Sequence, residues 1–87
     1  MNKNEFIVRL QENGIPPDIV SFDSITNDGY NIRKSKLRWE TFTRERGKEY
    51  DCIGFSSESD ALQHMLDELV AIYAGNYKSI EKYLWFE

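Results

Sequence analysis

The apolar positions of this chain change period along its length, and the changes mark out its elements. Near the start, Phe6, Ile7 and Leu10 fall on one helical face, with Asn4 placed to cap the helix and Gly14 followed by Pro16-Pro17 to stop it. Ile19, Val20, Phe22 and Ile25 then form a brief extended segment, closed by the turn signal Asn27-Asp28-Gly29. Residues 30–33 resume the extended pattern, and the basic stretch Arg33-Lys34-Ser35-Lys36 reads as a turn or strand end. The clearest strand covers residues 37–44, where Leu37, Trp39 and Thr41 alternate with Arg38, Glu40 and Phe42. Gly47 suits the positive φ of a tight hairpin. Residues 50–55 alternate again, with Asp51, Ile53 and Phe55 on one face. Ile53 and Phe55 are expected to point inward, and Asp51 to sit at the strand's exposed end.

The period then returns to that of a helix. Ser57 and Asp60 have the spacing of a capping box, and Ala61, Leu62, Met65, Leu66, Leu69, Val70, Ile72 and Tyr73 form a wide apolar stripe. Gly75-Asn76 marks the helix end, and residues 77–86 read as a final short helix or an aromatic tail folded onto the core. The order predicts an α+β fold: a short N-terminal helix, a small antiparallel sheet of three to four strands and a long amphipathic helix packed on it. With 87 residues the chain has enough surface to bury for one core and too little for two, so residues 1–87 are read as one domain.

Charge changes the picture more than composition does. Residues 30–50 hold seven basic and three acidic side chains, whereas the remainder holds four basic and twelve acidic. A basic middle between acidic ends predicts a polarised surface, of the kind that steers association with charged partners. Apolar runs fall short of the roughly 20 residues a membrane helix needs. The N-terminus shows no secretory pattern, and the single cysteine, Cys52, fits a reducing compartment, so a cytoplasmic location is expected.

Candidate chemistry is sparse. The single histidine, His64, neighbours Asp60, Asp67 and Glu68 at helical spacing, which is a metal or acid–base arrangement on paper. A solvated polar face accounts for the same residues and is the preferred reading. Cys52 on a strand reads as a small buried apolar residue rather than a nucleophile. None of the five glycines opens a helix as a phosphate cradle does. The chain is therefore read as a non-enzyme without metal or cofactor.

The basic segment 33–48, with Trp39, Phe42 and Tyr50 nearby, offers an alternative function, since cations beside aromatic platforms suit nucleic acid. The element order resembles the double-stranded-RNA-binding fold in topology. That fold holds phosphates with lysines at the start of its second helix, where this chain reads Ser56-Ser57-Glu58-Ser59-Asp60. Carboxylates there repel the backbone, so nucleic acid is the lesser reading.

A more specific pattern lies in the stretch from Trp39-Glu40-Thr41-Phe42-Thr43-Arg44-Glu45-Arg46-Gly47-Lys48 to Phe55-Ser56-Ser57-Glu58-Ser59-Asp60-Ala61. It resembles small bacterial immunity proteins, in which a tryptophan-bearing strand runs into Glu-Arg-Gly and a phenylalanine-ended strand runs into Ser-Glu-x-acidic-Ala. Gly14-Ile15-Pro16 after a short first helix also fits, while Thr41-Phe42-Thr43 departs from the usual tyrosine pair. The resemblance implies a protein of a contact-dependent or other polymorphic-toxin system that neutralises a cognate toxin, often a nuclease, by tight binding in the cytoplasm. An acidic surface would then face the toxin's basic cleft. Two acidic groups qualify: Asp18, Asp23 and Asp28 in the early loops, and Glu58, Asp60, Asp67 and Glu68 on the main helix, with Tyr30 or Tyr73 as an aromatic anchor.

Overall fold

A computed structural model describes residues 1–76. The first helix, α1, spans Lys3–Glu12 and is capped two residues earlier than the sequence suggests: Asn2, not Asn4, accepts from the Glu5 amide at 2.9 Å. Its buried side chains are Phe6 and Leu10. Gly14 takes φ +70°, and the Ile15 amide donates back to the Leu10 carbonyl at 2.9 Å, which turns buried Ile15 under the helix. A single 3-10 turn, Pro17–Ile19, leads into strand β1.

Four strands follow: β1 Val20–Phe22, β2 Gly29–Lys34, β3 Trp39–Glu45 and β4 Lys48–Phe55, in the sheet order β1-β2-β3-β4. The β2–β3 and β3–β4 pairs are antiparallel, but β1 runs parallel to β2, so the sheet is mixed rather than antiparallel. The reason lies in residues 23–28, which carry the chain back along the sheet instead of turning it as a hairpin. Asp23 donates its amide to the Ile32 carbonyl, Ser24 Oγ accepts from the Thr26 and Asn27 amides, and Asn27 Nδ2 reaches Ser21 Oγ. These local bonds satisfy the backbone through a crossover much shorter than a parallel pair usually needs.

Three details of the strand readings change. Ile25 lies exposed in that crossover, outside any strand. Leu37 is 96% exposed in the β2–β3 turn, because the Ser35 amide closes onto the Arg38 carbonyl and β3 starts only at Trp39. Asp51 sits within β4, not at its end. The register between β3 and β4 slips between Thr41 and Thr43, and Asp51 takes φ +54° at the resulting bulge.

Helix α2 spans Glu58–Ala71, with the Asp60 amide donating to Ser57 Oγ at 3.1 Å. A π-helical turn, Ile72–Asn76, continues it, so Gly75-Asn76 falls within that turn; the expected segment 77–86 lies outside the described residues. The helix buries Ala61, Leu62, Met65, Leu66 and Leu69 against Phe6, Leu10, Ile15, Val20 and Ile32. Both helices thus cover one face of the sheet. No helix among the described residues is long and apolar enough to cross a membrane.

Candidate functional site

Strand alternation and register fix what the other face carries. Asn31 pairs with Phe42, Arg33 with Glu40, Arg44 with Glu49, and Glu40 with Gly54, all pointing away from the helices. On this open face the arginines and glutamates form one lattice. Arg33 Nε donates to Glu40 Oε1 at 2.7 Å, while its Nη1 and Nη2 fork onto the Glu49 carboxylate at 2.7 and 3.1 Å. Arg38 reaches the second Glu40 oxygen at 2.8 Å, and Arg44 reaches Glu49 at 3.3 Å and the Asn27 carbonyl at 3.1 Å. Beneath them lies Phe42, 2% exposed, with the Arg33 and Arg44 guanidinium carbons 4.2 and 5.4 Å from its ring centre.

The electrostatics follow the geometry. Hydrogen bonds from Arg33 and then Arg38 hold the Glu40 carboxyl below its ordinary value, and Arg33 does the same to Glu49. The Arg33 guanidinium is raised in turn, first by Glu49 and then by Glu40.

This arrangement bears directly on nucleic-acid binding. Three of the seven cations of the basic segment already donate to carboxylates, so a phosphate would have to displace Glu40 or Glu49. The other four make no ion pair among the described residues, but they are divided between the two ends of the sheet: Lys34 and Lys36 at the β2–β3 turn, Arg46 and Lys48 at the β3–β4 turn. Among the described residues, the paired arginines have no exposed aromatic on their own face of the sheet. Register puts Trp39 and Tyr50 on the helix side, and Phe42 is covered.

The acidic candidates separate into structural and free groups. Asp23 Oδ1 accepts from the Lys34 amide at 3.1 Å, and the Asp28 carboxylate accepts from the Arg46 and Gly47 amides at 3.2 and 3.4 Å. Asp28 therefore fastens the β3–β4 turn, and Asp28→Ala is expected to cost about 1 kcal/mol in urea unfolding, within the range of a lost turn or cap bond. Asp18 is exposed on the 3-10 turn. The early-loop acids thus do not converge, because Asp23 and Asp28 lie at opposite ends of the crossover.

The α2 group is closer to a common surface. Glu58 and Asp60 occupy the first turn, Asp67 accepts from Gln63 Nε2 at 2.9 Å, and Glu68 lies 3.3 Å from His64 Nε2. Helical spacing puts Asp60, His64, Asp67 and Glu68 on one flank. His64 stacks near Phe55 of β4, ring centres 5.1 Å apart, so this flank looks toward β4. Tyr30 is half-buried beside Glu68 and Tyr73, and burial, then Glu68 and Tyr73, push its hydroxyl pKa up. Tyr73 itself is exposed.

Among the described residues, no three of His, Cys, Asp and Glu converge as metal ligands. Cys52 is exposed on β4 rather than buried, a consequence of β4 being an outer strand. Sequence alternation passed over two features of β4. Through the bulge, Tyr50 and Ile53 share the helix-side face, paired with Thr43 and Thr41, and both stay uncovered at 47% and 41% exposure.

Compared with family models, curated proteins and solved structures, the chain has no significant match.

Proposed function

We propose that this chain is an immunity-type binding domain that neutralises a cognate toxin domain, a nuclease, in the cytoplasm by presenting an acidic surface to it. The observation that supports the reading is the separation of charge between layers. Helix α2 carries Glu58, Asp60, Asp67 and Glu68 with no lysine or arginine, while the cations of the open sheet face are matched to Glu40 and Glu49. Among the described residues, the unmatched charge of α2 is therefore negative. Such charge accelerates encounter with a basic cleft and repels nucleic acid.

Co-expression with the toxin domain encoded beside this chain is expected to protect cells, and the purified pair to associate tightly. Absence of both protection and binding overturns the reading. Asp67→Lys with Glu68→Lys is expected to slow association about tenfold at low salt and to flatten its salt dependence. An on-rate equal to that of the parent protein would move the interface off α2. The isolated chain is expected to bind neither RNA nor DNA at low ionic strength; salt-sensitive binding in a gel-shift titration would reinstate the nucleic-acid alternative.

A further inference from the structure

Strand β4 is the longest in the sheet, and among the described residues nothing pairs with its outer edge. Six of its eight residues, Lys48 to Ile53, are exposed. A strand so placed presents a row of backbone donors and acceptors to solvent. Its helix-side face is also unfinished, since α2 reaches Phe55 through His64 but leaves Tyr50 and Ile53 open. Together they make a shelf: an apolar floor, a wall formed by the flank carrying Asp60, Asp67 and Glu68, and a free backbone edge along the outside. Asp51 adds a further carboxylate, lining the same cleft as Glu68.

On the reading that the chain binds a partner protein, we propose that this shelf is the docking surface and that its occupant is an extended segment of the toxin. That segment adds a fifth strand to β4, lays apolar side chains on Tyr50 and Ile53, and carries lysine or arginine toward the α2 flank. Charge complementarity selects this occupant: the wall is acidic and has no lysine or arginine of its own. A second copy of the chain would instead set one acidic α2 flank opposite another. The bulge at Asp51 shortens the pairing and prevents open-ended edge-to-edge stacking, so a short strand is what the edge accepts.

The test uses the full chain with the toxin domain encoded beside it and, separately, a short synthetic peptide of alternating valine and threonine flanked by lysines. With the toxin domain, amides of β4 are expected to gain hydrogen-exchange protection, and iodoacetamide labelling of Cys52 to slow about tenfold. Tyr50→Lys with Ile53→Lys is expected to weaken binding about 100-fold, as loss of a central apolar anchor does, while Ile25→Lys on the crossover leaves it unchanged. Both shelf positions are solvent-exposed, and an unchanged circular dichroism spectrum checks that the double variant folds.

If the parent chain binds the toxin domain and the double variant binds equally well, with Cys52 labelled at the free rate, the docking proposal is wrong and the partner reading stands. If the parent chain does not bind, the partner reading fails and the peptide decides for the shelf. Saturable shifts confined to β4 and the α2 flank, lost with a glutamate-flanked peptide, support the site; no shift overturns it. Protection of β4 in the isolated protein also overturns it: dependence on concentration would assign the edge to a second copy, and independence to this chain itself.

Discussion

Replacing Phe42 by alanine is expected to destabilise the protein by about 3 kcal/mol, read as a lower urea midpoint with an unchanged slope. The ring sits on the face without helices, yet it is as buried as the core beneath α2. Its cover is the guanidinium planes of Arg33 and Arg44, held in place by Glu40 and Glu49. Truncation removes the apolar contact and also the surface on which both arginines lie. The figure is the lower end of the range for a buried phenylalanine, since flexible arginine stems can fold into the space and admit water. A loss below about 1 kcal/mol would mean that the lattice holds its shape without the ring.

Glu40→Ala is expected to cost about 2 kcal/mol at neutral pH. The carboxylate is buried on a central strand and accepts from both Arg33 and Arg38. Removing one partner of a fully buried pair costs about 3–5 kcal/mol. Here Arg33 is partly exposed and Arg38 more so, and both regain water, which reduces the loss. The pH dependence has a definite sign. The Glu40 and Glu49 carboxyls titrate below their ordinary value in the folded protein, so their contribution is complete above about pH 4.3, the unfolded value. It disappears as pH falls through the lower folded values. Urea unfolding of parent and variant should therefore differ most at pH 7 and converge toward pH 3. A gap that stays constant across that interval would assign the loss to packing rather than to charge. Because Phe42 and Glu40 share Arg33, the double variant should lose less than the sum of the two.

Helical period and turn glycines placed α1, α2 and the β3–β4 hairpin, and Ser57 was legible as the α2 cap, although Asn2 rather than Asn4 caps α1. These signals are local: the Ser57 cap and the Gly47 turn each depend on a few neighbouring residues. The parallel partner of β2 was not legible. Asn27-Asp28-Gly29 carries the chemistry of a hairpin turn, and only the bonds of residues 23–28 to Ser21 and Ile32 make it the end of a crossover. Alternation sets Phe42 on one face with Arg38 and Glu40, which the register bears out, but nothing in the period shows that the ring is buried. A side chain's face follows from strand period, but its burial depends on what other strands place above it.

The acidic candidates divide in the same way. A sequence gives the charge of Asp28 and of Glu68 equally, yet Asp28 is held by the backbone of another turn, whereas Glu68 stands on a helix flank without lysine or arginine. The sequence alone determined the α+β class, the amphipathic stripe of α2 and the division of charge along the chain, since period and composition are properties of neighbouring residues. Tertiary structure alone decided the mixed sheet, the neutralised arginines of the open face and, among the described residues, the exposure of Tyr50 and Ile53 along β4. Each of these depends on which distant residues the strand register brings together.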